Sequence, residues 1–509
     1  MSAPAFSYDE VPYSSFTFPQ TRPDRLATLG AFHGMEPAAP EKCRVLELGC
    51  GDGTNLISFA YILPDSEFVG IDLAKVHINA AERTAEELKL NNLSFLCDDV
   101  MNFTRERFGE FDYIIAHGLF SWVPDGVREK ILEIYAECLA PQGVGYISYN
   151  AYPGCKTREM LWDMMKYYTA EIADPMQKVA GAIQYLNFLN FAAEKDTAYQ
   201  TLINAELAQC SQRTPENIFH DDLSSMNRPF YFHEFVKIIK PHGLQFLSEV
   251  DAYWAESNLR PEIAAKIDEL GDDIVRREQF TDFIRGRPFR SSLVCRADIT
   301  LDRSPTAEIL RSFYVASQVE PQSEDLDIRS GSAEKFEGLD ATAVEVAAPL
   351  TKAALVTLQD AWSSSLSFDE LVAKASELAG PPSAEDIEAT AAELLGLFKK
   401  GFVYLHRYRP AFAAKAGSKP RASRFVQWQI RKNCADITAL SGMNLRPEGD
   451  PMRLLLLLCD GTRDRDALVK EFSRRIEFKE SEREQRLQEL PAFVEGRLAL
   501  FAKLGLLHD

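Results

Sequence analysis

The chain lacks the sequence features that mark membrane, secreted and zinc-binding proteins. Its longest aliphatic run, Leu454 to Leu458, is far shorter than the roughly 20 apolar residues that a membrane-spanning helix needs. Its N-terminus has no basic region followed by an apolar core, so no secretory leader is expected. Its nine cysteines include no C-x-x-C pair, which argues against a disulfide framework and a zinc site. We therefore expect a cytoplasmic protein without a membrane span or a structural metal.

Positive charge is also scarce. Lys and Arg number 56 against 76 Asp and Glu, which gives the 509 residues a net charge of −20 at pH 7. Nucleic-acid affinity rests largely on Lys and Arg that neutralise phosphates, so this balance argues against nucleic acid as a partner. One stretch is basic in this acidic chain: residues 399–432 contain ten Lys or Arg and no Asp or Glu. That stretch predicts a solvated linker or a partner-docking surface, with nucleic-acid contact as the alternative.

An apolar strand runs directly into a glycine-rich loop near the N-terminus. Residues 45–53 read Val-Leu-Glu-Leu-Gly-Cys-Gly-Asp-Gly. Gly49, Gly51 and Gly53 let the backbone turn sharply and approach a ligand closely. A dinucleotide loop has its third glycine one position later, where Thr54 stands, so the spacing disfavours a nicotinamide cofactor. The loop predicts a nucleotide-like cofactor at the end of the strand.

Acidic side chains follow the next two predicted strands. Asp72 ends the strand-like run 67–71, where a carboxylate is placed to bind the ribose of an adenosine-containing cofactor. NAD and S-adenosylmethionine both fit that geometry. The third predicted strand, 93–97, is followed by Asp98 and Asp99. A slip of one residue moves a side chain to the other face of a strand, so either residue is a candidate for the adenine contact.

The predicted strands alternate with helical stretches. Further strands are expected at 111–116 and 143–149, and helices at 54–62, 75–90 and 126–139. This alternation predicts an α/β fold with a Rossmann-like, doubly wound parallel sheet. Apolar residues recur at helical spacing between 155 and 215, which predicts a helical insertion. Two late strands, 244–250 and 289–297, would bring the sheet to seven strands.

The first 150 residues resemble class I S-adenosylmethionine-dependent methyltransferases. The E-x-G-x-G-x-G signature of that family corresponds to Glu47, Gly49, Gly51 and Gly53. The resemblance implies S-adenosylmethionine as the cofactor. It implies the following cofactor-binding residues: Glu47, Gly49, Cys50, Gly51, Gly53, Asp72, Leu73, Asp98, Asp99, Val100 and His117.

A narrower resemblance covers later motifs. The stretches 117–124, 148–154, 158–165, 227–235 and 278–290 are similar to bacterial methyltransferases that carry a so-called regulatory domain. Some members of that group methylate lysines of outer-membrane proteins. The chain departs from the group's pattern at Arg22, where histidine is usual, and at Cys155, where tryptophan is usual. Both departures bear on the substrate more than on the cofactor.

The last third of the chain contains a weak repeat. Helical stretches at 353–362, 367 onward and 387–399 end in a short strand near 401–405, and residues 452–507 follow the same order. Two winged-helix-like α+β modules fit this pattern, after a linker rich in Ser, Glu, Asp and Pro. We expect these divisions: a methyltransferase domain at 1–300, with a helical insertion at about 155–228 and a regulatory segment at about 215–300; a linker at 301–345; and modules at 346–410 and 411–509.

Several residues are candidates for the acceptor side of the site, because ligands of open α/β sheets lie outside the carboxyl ends of the strands. His117 is either a base or a residue that orients its loop. Trp122 and Tyr152 either face the sulfonium or a substrate cation, or are packing residues. The segments 8–13 and 16–23 either fold over the cofactor or form a packing arm. The acceptor-side candidates are His117, Ser121, Trp122, Tyr149, Asn150 and Tyr152.

Absent motifs narrow the substrate. Amino-methylating DNA enzymes place D/N-P-P-Y/F after the fourth strand, where this chain has His-Gly-Leu-Phe, and the Pro-Cys of cytosine-C5 enzymes is missing there. These absences argue against DNA as the substrate, and the narrower resemblance implies N-methylation of a protein side chain, a lysine. The alternatives are a small-molecule methyltransferase and a cofactor-binding regulatory protein with little turnover. A protein substrate is the expected partner, and the C-terminal modules either recruit it or form a homodimer.

Overall fold

The computed structural model describes residue 11 and residues 16–251, 259–338, 342–413, 415–476 and 483–508. Of the segment 8–13, only Val11 lies within the described residues. Across the described part of the chain, no helix combines the length and the apolar character needed to cross a bilayer.

A seven-stranded sheet forms the centre of the molecule, in the order β3-β2-β1-β4-β5-β7-β6. Neighbouring strands from β3 to β5 are parallel, while β7 is antiparallel to both β5 and β6. The prediction of a doubly wound sheet completed by two late strands is confirmed. The strands are β1 Arg44–Leu48, β2 Glu67–Asp72, β3 Leu93–Cys97, β4 Phe111–Ala116, β5 Leu139–Asn150, β6 Leu244–Glu249 and β7 Phe289–Arg296.

Helices cover both faces of this sheet, because strand residues alternate between two cores. Val45 and Phe68 belong to one buried cluster, whereas the adjacent Leu46 and Val69 belong to the other. The helices that accompany β1 to β5 are α1 Pro23–Phe32, α2 Thr54–Ile62, α3 Lys75–Leu88, α4 Arg105–Phe108 and α5 Asp125–Cys138.

The predicted helical insertion consists of four helices with a small core of their own. Its second helix begins at Pro175, and the preceding Asp174 caps it by accepting the Gln177 N–H at 2.8 Å. A proline at the first helical position and an Asp cap together favour a helix start there. The helices are α6 Gly154–Tyr168, α7 Pro175–Ala192, α8 Ala198–Cys210 and α9 Pro215–Asp222; α10 Phe232–Ile239, α11 Pro261–Asp268 and α12 Ile274–Arg285 follow.

The segment 301–345, expected to be a linker, is structured in the described residues. Leu310, Phe313, Val315 and Phe336 are buried in the same core that covers one face of the large sheet. These apolar residues are sparse among many polar ones, so the composition of the segment conceals them. Its strands are β8 Tyr314–Ala316, β9 Glu320–Pro321, β10 Glu334–Glu337 and β11 Ala343–Val346.

The first C-terminal module places β8 at the centre of a three-stranded sheet. β8 pairs antiparallel with β12 on one side and with β13 on the other. Two of the module's helices begin with capping boxes, at Ser367 with Glu370 and at Ser383 with Asp386. The elements are α13 Pro349–Ala361, β12 Leu366–Ser367, α14 Phe368–Ala379, α15 Ala384–Lys399 and β13 Tyr404–His406.

The second C-terminal module repeats this arrangement. β14 pairs with β17, and Arg421 of β14 also bridges to Asp460, so β14 lies between two partners as β8 does. A hairpin of β15 and β16 is inserted before the repeated helices. The elements are β14 Arg421–Ala422, α16 Arg424–Arg431, β15 Ile437–Thr438, β16 Asn444–Leu445, α17 Gly449–Leu458, α18 Arg465–Arg475, α19 Arg483–Lys503 and β17 Leu507–His508.

Candidate functional site

A cavity of about 440 Å³ opens at the carboxyl ends of β1 to β4. Its volume lies within the roughly 300–1,000 Å³ of small-molecule and cofactor sites. Its lining residues come from the glycine loop, from the ends of β2, β3 and β4, from the N-terminal segment and from α9. They include Phe16, Phe18, Glu47, Gly49, Cys50, Gly51, Asp72, Leu73, Asp98, Asp99, Val100, His117, Trp122 and Asp221.

The three glycines of the loop have different roles. Gly49, Gly51 and Gly53 all have positive φ, at 70°, 55° and 72°. A Cβ atom at Gly51 would meet nothing within 4 Å, so the backbone there faces open space, whereas a Cβ at Gly53 would overlap the Phe95 ring. Gly49 and Gly51 line the cavity and Gly53 does not. Gly53 therefore allows the helix to pack on the sheet, and Gly51 exposes the backbone to the cavity.

Asp72 connects the glycine loop to the end of β2. Its Oδ2 accepts the Gly51 N–H at 2.9 Å and its Oδ1 accepts the Ala74 N–H at 2.8 Å. These bonds hold the carboxylate against the cavity wall. A carboxylate in this position has lone pairs left for hydroxyl donors of a ligand.

Asp98 and Asp99 both line the cavity, but their carboxylates differ in their partners. Asp98 accepts hydrogen bonds from Asn102 Nδ2 at 2.8 Å and forms an ion pair with Arg107 at 3.1 Å. The Asn102 hydrogen bond and the Arg107 guanidinium hold the pKa of Asp98 below its usual range. Asp99 accepts the Met101 N–H with Oδ1 at 3.0 Å. Asp99 thus has fewer protein partners than Asp98 and keeps more of its lone pairs for a ligand.

Glu47 lies buried at the base of the cavity, with 3% of its surface exposed. Its Oε1 accepts a hydrogen bond from Asn55 Nδ2 at 2.9 Å, while none of the described residues donates to its Oε2. Burial raises the pKa of Glu47 to about 8, although the Asn55 bond works against the rise. A buried carboxyl oxygen without a partner fits a ligand that brings a positive group.

His117 lies at the end of β4 against the N-terminal segment. Its ring centroid is 3.8 Å from that of Phe18, and its Nδ1 is 2.9 Å from the Tyr146 hydroxyl. Burial lowers the pKa of His117 to about 4, so its imidazole is neutral near pH 7. A group this weakly basic is a poor proton acceptor at neutral pH.

Among the acceptor-side candidates, the structure brings His117 and Trp122 to the cavity and leaves the others outside its lining. Tyr149 points to the opposite face of β5, where its ring stacks on Phe235 at 4.3 Å. Strand alternation explains this, because the neighbouring Ser148 is the residue that accepts the Gly118 N–H.

The remaining three candidates have structural contacts elsewhere. Ser121 is fully buried, and its hydroxyl accepts the Asn150 N–H at 2.9 Å. The Asn150 amide donates to Asn227 Oδ1 at 2.9 Å. Tyr152 donates to Glu159 at 2.7 Å and so faces the helical insertion.

Asn55 and Asp221 are among the cavity residues that sequence reasoning missed. Asn55 stands one residue after Thr54 in the first turn of α2, a position that the glycine motif could have indicated. Asp221 belongs to the insertion helix α9, and Arg213 binds it at 2.8 Å. Nothing in the sequence near Asp221 links it to the glycine loop, because the contact depends on how the insertion folds back.

A buried polar cluster lies behind Asp221 in the insertion. Potential ligand atoms of Glu206, Cys210 and Asp222 lie within 4.8 Å of one another. Arg158 binds Glu206 at 2.9 Å, and Arg213 binds Asp222 at 2.8 Å. These ion pairs neutralise the two carboxylates, so the cluster stabilises the insertion next to the cavity.

The charge of the cavity is one-sided. Among the described residues, no Lys or Arg lines it, whereas six acidic side chains do. Arginines outside the lining pair with Asp98 and Asp221, and Glu47 is largely protonated near pH 7, so the unpaired negative charge comes from the other three. Such a wall favours cations by long-range attraction and disfavours phosphates. The six are Glu47, Asp52, Asp72, Asp98, Asp99 and Asp221.

Two protein-family models match the chain. The first, described as "Methyltransferase domain", matches residues 45–143, which hold β1 to β4 and the glycine loop. The second, described as "Predicted methyltransferase regulatory domain", matches residues 214–296. The second range includes β6 and β7, so the regulatory segment supplies two strands of the central sheet.

Relatives extend the match to nearly the whole chain. Uncharacterized protein RP789 of Rickettsia prowazekii is 31% identical over 439 residues, which are 83% of this chain and 78% of that protein. The structure of PKMT2 from Rickettsia typhi in complex with AdoHcy superposes with a TM-score of 0.86 at 27% identity, over 98% of this chain and 100% of that one. The malonyl-[acyl-carrier protein] O-methyltransferase of Bacillus cytotoxicus is 28% identical over 101 residues, 20% of this chain and 33% of that protein.

Proposed function

Since the chain belongs to the class I S-adenosylmethionine-dependent methyltransferases that carry a methyltransferase regulatory domain, we propose that it methylates the side-chain amine of a lysine in a protein. The observation that carries the proposal is the aromatic part of the cavity wall, formed by Phe16, Phe18 and Trp122, together with the absence of Lys and Arg from the lining among the described residues. A lysine side chain arrives as a cation, which aromatic faces attract, and an apolar aromatic wall then favours the loss of its proton. The likeness to PKMT2, whose name abbreviates protein lysine methyltransferase, agrees with this acceptor.

The residues of the cavity fit the cofactor group by group. When bound, S-adenosylmethionine supplies a methyl group on a positively charged sulfur, which an amine lone pair displaces in line. We propose that Glu47 Oε2 holds the ammonium of the methionine part, Asp72 the ribose hydroxyls and Asp99 the adenine amino group. Gly49 and Gly51 provide close backbone approach beside them.

The acceptor amine must be neutral to react. A lysine in water has a pKa of about 10.4, and an apolar environment lowers that value because it disfavours the cation. Phe16, Phe18 and Trp122 supply such an environment at the cavity wall. The neutral His117 is too weak a base to take the proton, so we propose that it supports the Phe18 ring and that the proton leaves to solvent.

Labelling of proteins is the expected result when the purified protein is incubated with radiolabelled S-adenosylmethionine and a fractionated bacterial lysate. Acid hydrolysis of the labelled bands should release methyl-lysine. A matched lysate whose lysines have been acetylated beforehand should take up no label, because an amide nitrogen has no available lone pair. Label confined to small molecules or nucleic acid, or labelling that survives acetylation, would overturn the lysine acceptor.

The two neighbouring acids after β3 should behave differently on substitution. Asp99→Ala is expected to weaken AdoHcy binding about tenfold, since a hydrogen bond to a charged group is lost. Asp98→Ala removes the same charge, but its carboxylate is already engaged by Asn102 and Arg107, so a change below about threefold is expected. Isothermal calorimetry on the two variants measures both values. If Asp98→Ala weakened AdoHcy binding more than Asp99→Ala, the adenine contact would belong to Asp98 instead of Asp99.

A further inference from the structure

Residues 16–22, here called the strap, lie between the cofactor cavity and the second C-terminal module. Phe16 and Phe18 line the cavity. Thr17, between them, is buried and faces the β15–β16 hairpin of the module, with its Oγ1 3.3 Å from the Thr438 Oγ1. Alternate residues of the strap therefore contact the cavity and the module.

Asn444 of the hairpin binds Thr17 twice. Its Oδ1 accepts a hydrogen bond from the Thr17 hydroxyl, and its Nδ2 donates to the Thr17 carbonyl at 2.9 Å. The Thr438 hydroxyl donates to the same Asn444 Oδ1 at 3.2 Å and so keeps the amide in this orientation. One side chain of the module thus fixes both the backbone and the side chain of a strap residue.

A second attachment lies at the end of the strap. The guanidinium of Arg22 donates to the Ser441 carbonyl. The next residue, Gly442, has a φ of +83°, and a Cβ atom there would overlap the guanidinium. The arginine that departs from the family pattern at position 22 thus has a defined partner in the hairpin turn.

The inner side of the strap is bonded to the base of the cavity. The Phe18 N–H donates to Asn55 Oδ1 at 2.9 Å, and Asn55 Nδ2 donates to Thr21 Oγ1 at 3.0 Å. The same Nδ2 donates to Glu47 Oε1 at 2.9 Å. Any displacement of the strap therefore disturbs the environment of Glu47 as well as the aromatic wall.

The module itself is fixed to the helices that follow the glycine loop. Trp428 Nε1 donates to Glu87 Oε2 at 2.8 Å on α3, and Lys432 forms an ion pair with Glu87 at 3.3 Å. On α2, the Tyr61 hydroxyl accepts the Arg424 N–H at 2.9 Å. The hairpin is consequently held at a constant distance from the cavity.

We infer that the second C-terminal module is part of the cofactor site, and that Thr438 and Asn444 are positioning residues that hold the strap over the bound cofactor. They act through Thr17, whose neighbours Phe16 and Phe18 close the cavity. The module thereby has a role at the cofactor in addition to any contact with a substrate. AdoHcy has no methyl group to transfer, so its affinity reports on this role without an acceptor and independently of whether the acceptor is a lysine.

Thr17→Val is the direct test, because it keeps the shape of the side chain and removes its hydroxyl. We expect AdoHcy affinity to fall about three- to tenfold, which corresponds to the net contribution of one or two neutral hydrogen bonds. Thr17→Ser retains the hydroxyl and should bind AdoHcy like the natural protein. Hydrogen exchange of residues 16–22 in the ligand-free proteins should rise in Thr17→Val alone.

Asn444→Ala removes both of the Asn444 bonds to Thr17, including the one to its carbonyl, and should weaken AdoHcy binding to a similar extent. Arg446→Ala is its control, since Arg446 is exposed on the same hairpin and binds Asp436 instead of the strap. An unchanged affinity in Thr17→Val or Asn444→Ala would overturn the inference. An equal loss in Thr17→Val and Thr17→Ser, or in Asn444→Ala and Arg446→Ala, would overturn it too, because the hydroxyl and amide contacts would then not be the cause.

Discussion

Replacing Asp72 by alanine is expected to weaken AdoHcy binding at least tenfold. The proposed ribose contact gives the carboxylate two hydroxyl partners, and each hydrogen bond to a charged group contributes about 1.5–3 kcal/mol. Loss of both therefore corresponds to a change on the order of 100-fold even at the lower end of that range. The substitution also removes the acceptor of the Gly51 and Ala74 N–H groups, which loosens the loop in the same direction. Isothermal calorimetry measures the effect.

The matched control for this experiment is Asp65→Ala. Asp65 is exposed in the turn before β2, at the amino ends of the strands, so its removal changes the net charge equally at the far edge of the sheet. AdoHcy affinity should stay within about twofold of the natural protein there, since exposed charges at such a distance are screened by salt. If Asp72→Ala left the affinity for AdoHcy unchanged, Asp72 would not be part of the cofactor site.

The second large effect is expected from Glu47→Gln, which should stabilise the empty protein while weakening AdoHcy binding about tenfold or more. Glutamine keeps an oxygen for the Asn55 amide and removes the buried acid. The cofactor ammonium then loses its charged partner, and a hydrogen bond to a charged group is worth about 1.5–3 kcal/mol. A buried charge that serves ligand binding lowers the stability of the empty protein, so its removal raises stability and lowers affinity.

The pH dependence of both effects follows from the direction of the pKa shift. Burial raises the pKa of Glu47 to about 8, whereas an unfolded chain has a Glu pKa of about 4.3. The folded state holds the proton more tightly, so this group's contribution to stability is full below pH ~4.3 and is lost as pH rises through ~8. Glu47→Gln should therefore melt a few degrees higher than the natural protein at pH 8.5 and at the same temperature at pH 4.

Binding should show the complementary trend. An ammonium prefers the ionised carboxyl, so AdoHcy affinity of the natural protein should rise between pH 6 and pH 8 and that of Glu47→Gln should not. Calorimetry in phosphate and Tris buffers should detect proton release only in the natural protein, because the two buffers differ in ionisation enthalpy. Glu41→Gln, at an exposed carboxylate, is the control. A variant that retains the pH-dependent affinity would show that Glu47 does not face the ammonium.

The central sheet was predictable because each of its strands has a local signature. Apolar runs that end in a glycine loop or in an acid mark the carboxyl ends of β1 and β2, and the predicted bounds of the strands agree with the structure to within one residue, except at β5. β5 begins at Leu139 instead of residue 143, because the stretch that was expected to close the preceding helix continues the strand. The cofactor followed from the same signals and is confirmed, as is the methyltransferase class. The cofactor contacts of individual residues stay predictions, although the structure gathers ten of the eleven around one cavity.

Other features could not be predicted from the sequence because they depend on long-range packing. β5 has apolar or aromatic residues on both faces, so alternation alone did not tell whether Ser148 or Tyr149 points toward His117. The polar composition of residues 301–345 concealed five buried apolar side chains of the core, including Phe313 and Phe336. Asp221 reaches the cavity only because a four-helix insertion folds back onto it. Such long-range contacts cannot be predicted from the residue type at one position.

The bonds between Thr17 and Asn444 join residues 427 positions apart in the chain. Ribosomes add roughly 5–20 residues per second, so Asn444 is synthesised about 20 to 90 s after Thr17. All seven strands of the central sheet have been synthesised once residue 296 has been added. A nascent chain thus passes through a period in which it contains every strand and the glycine loop, while the strap still lacks its partner in the hairpin. We therefore expect the protein to retain its cofactor tightly only when translation is nearly finished.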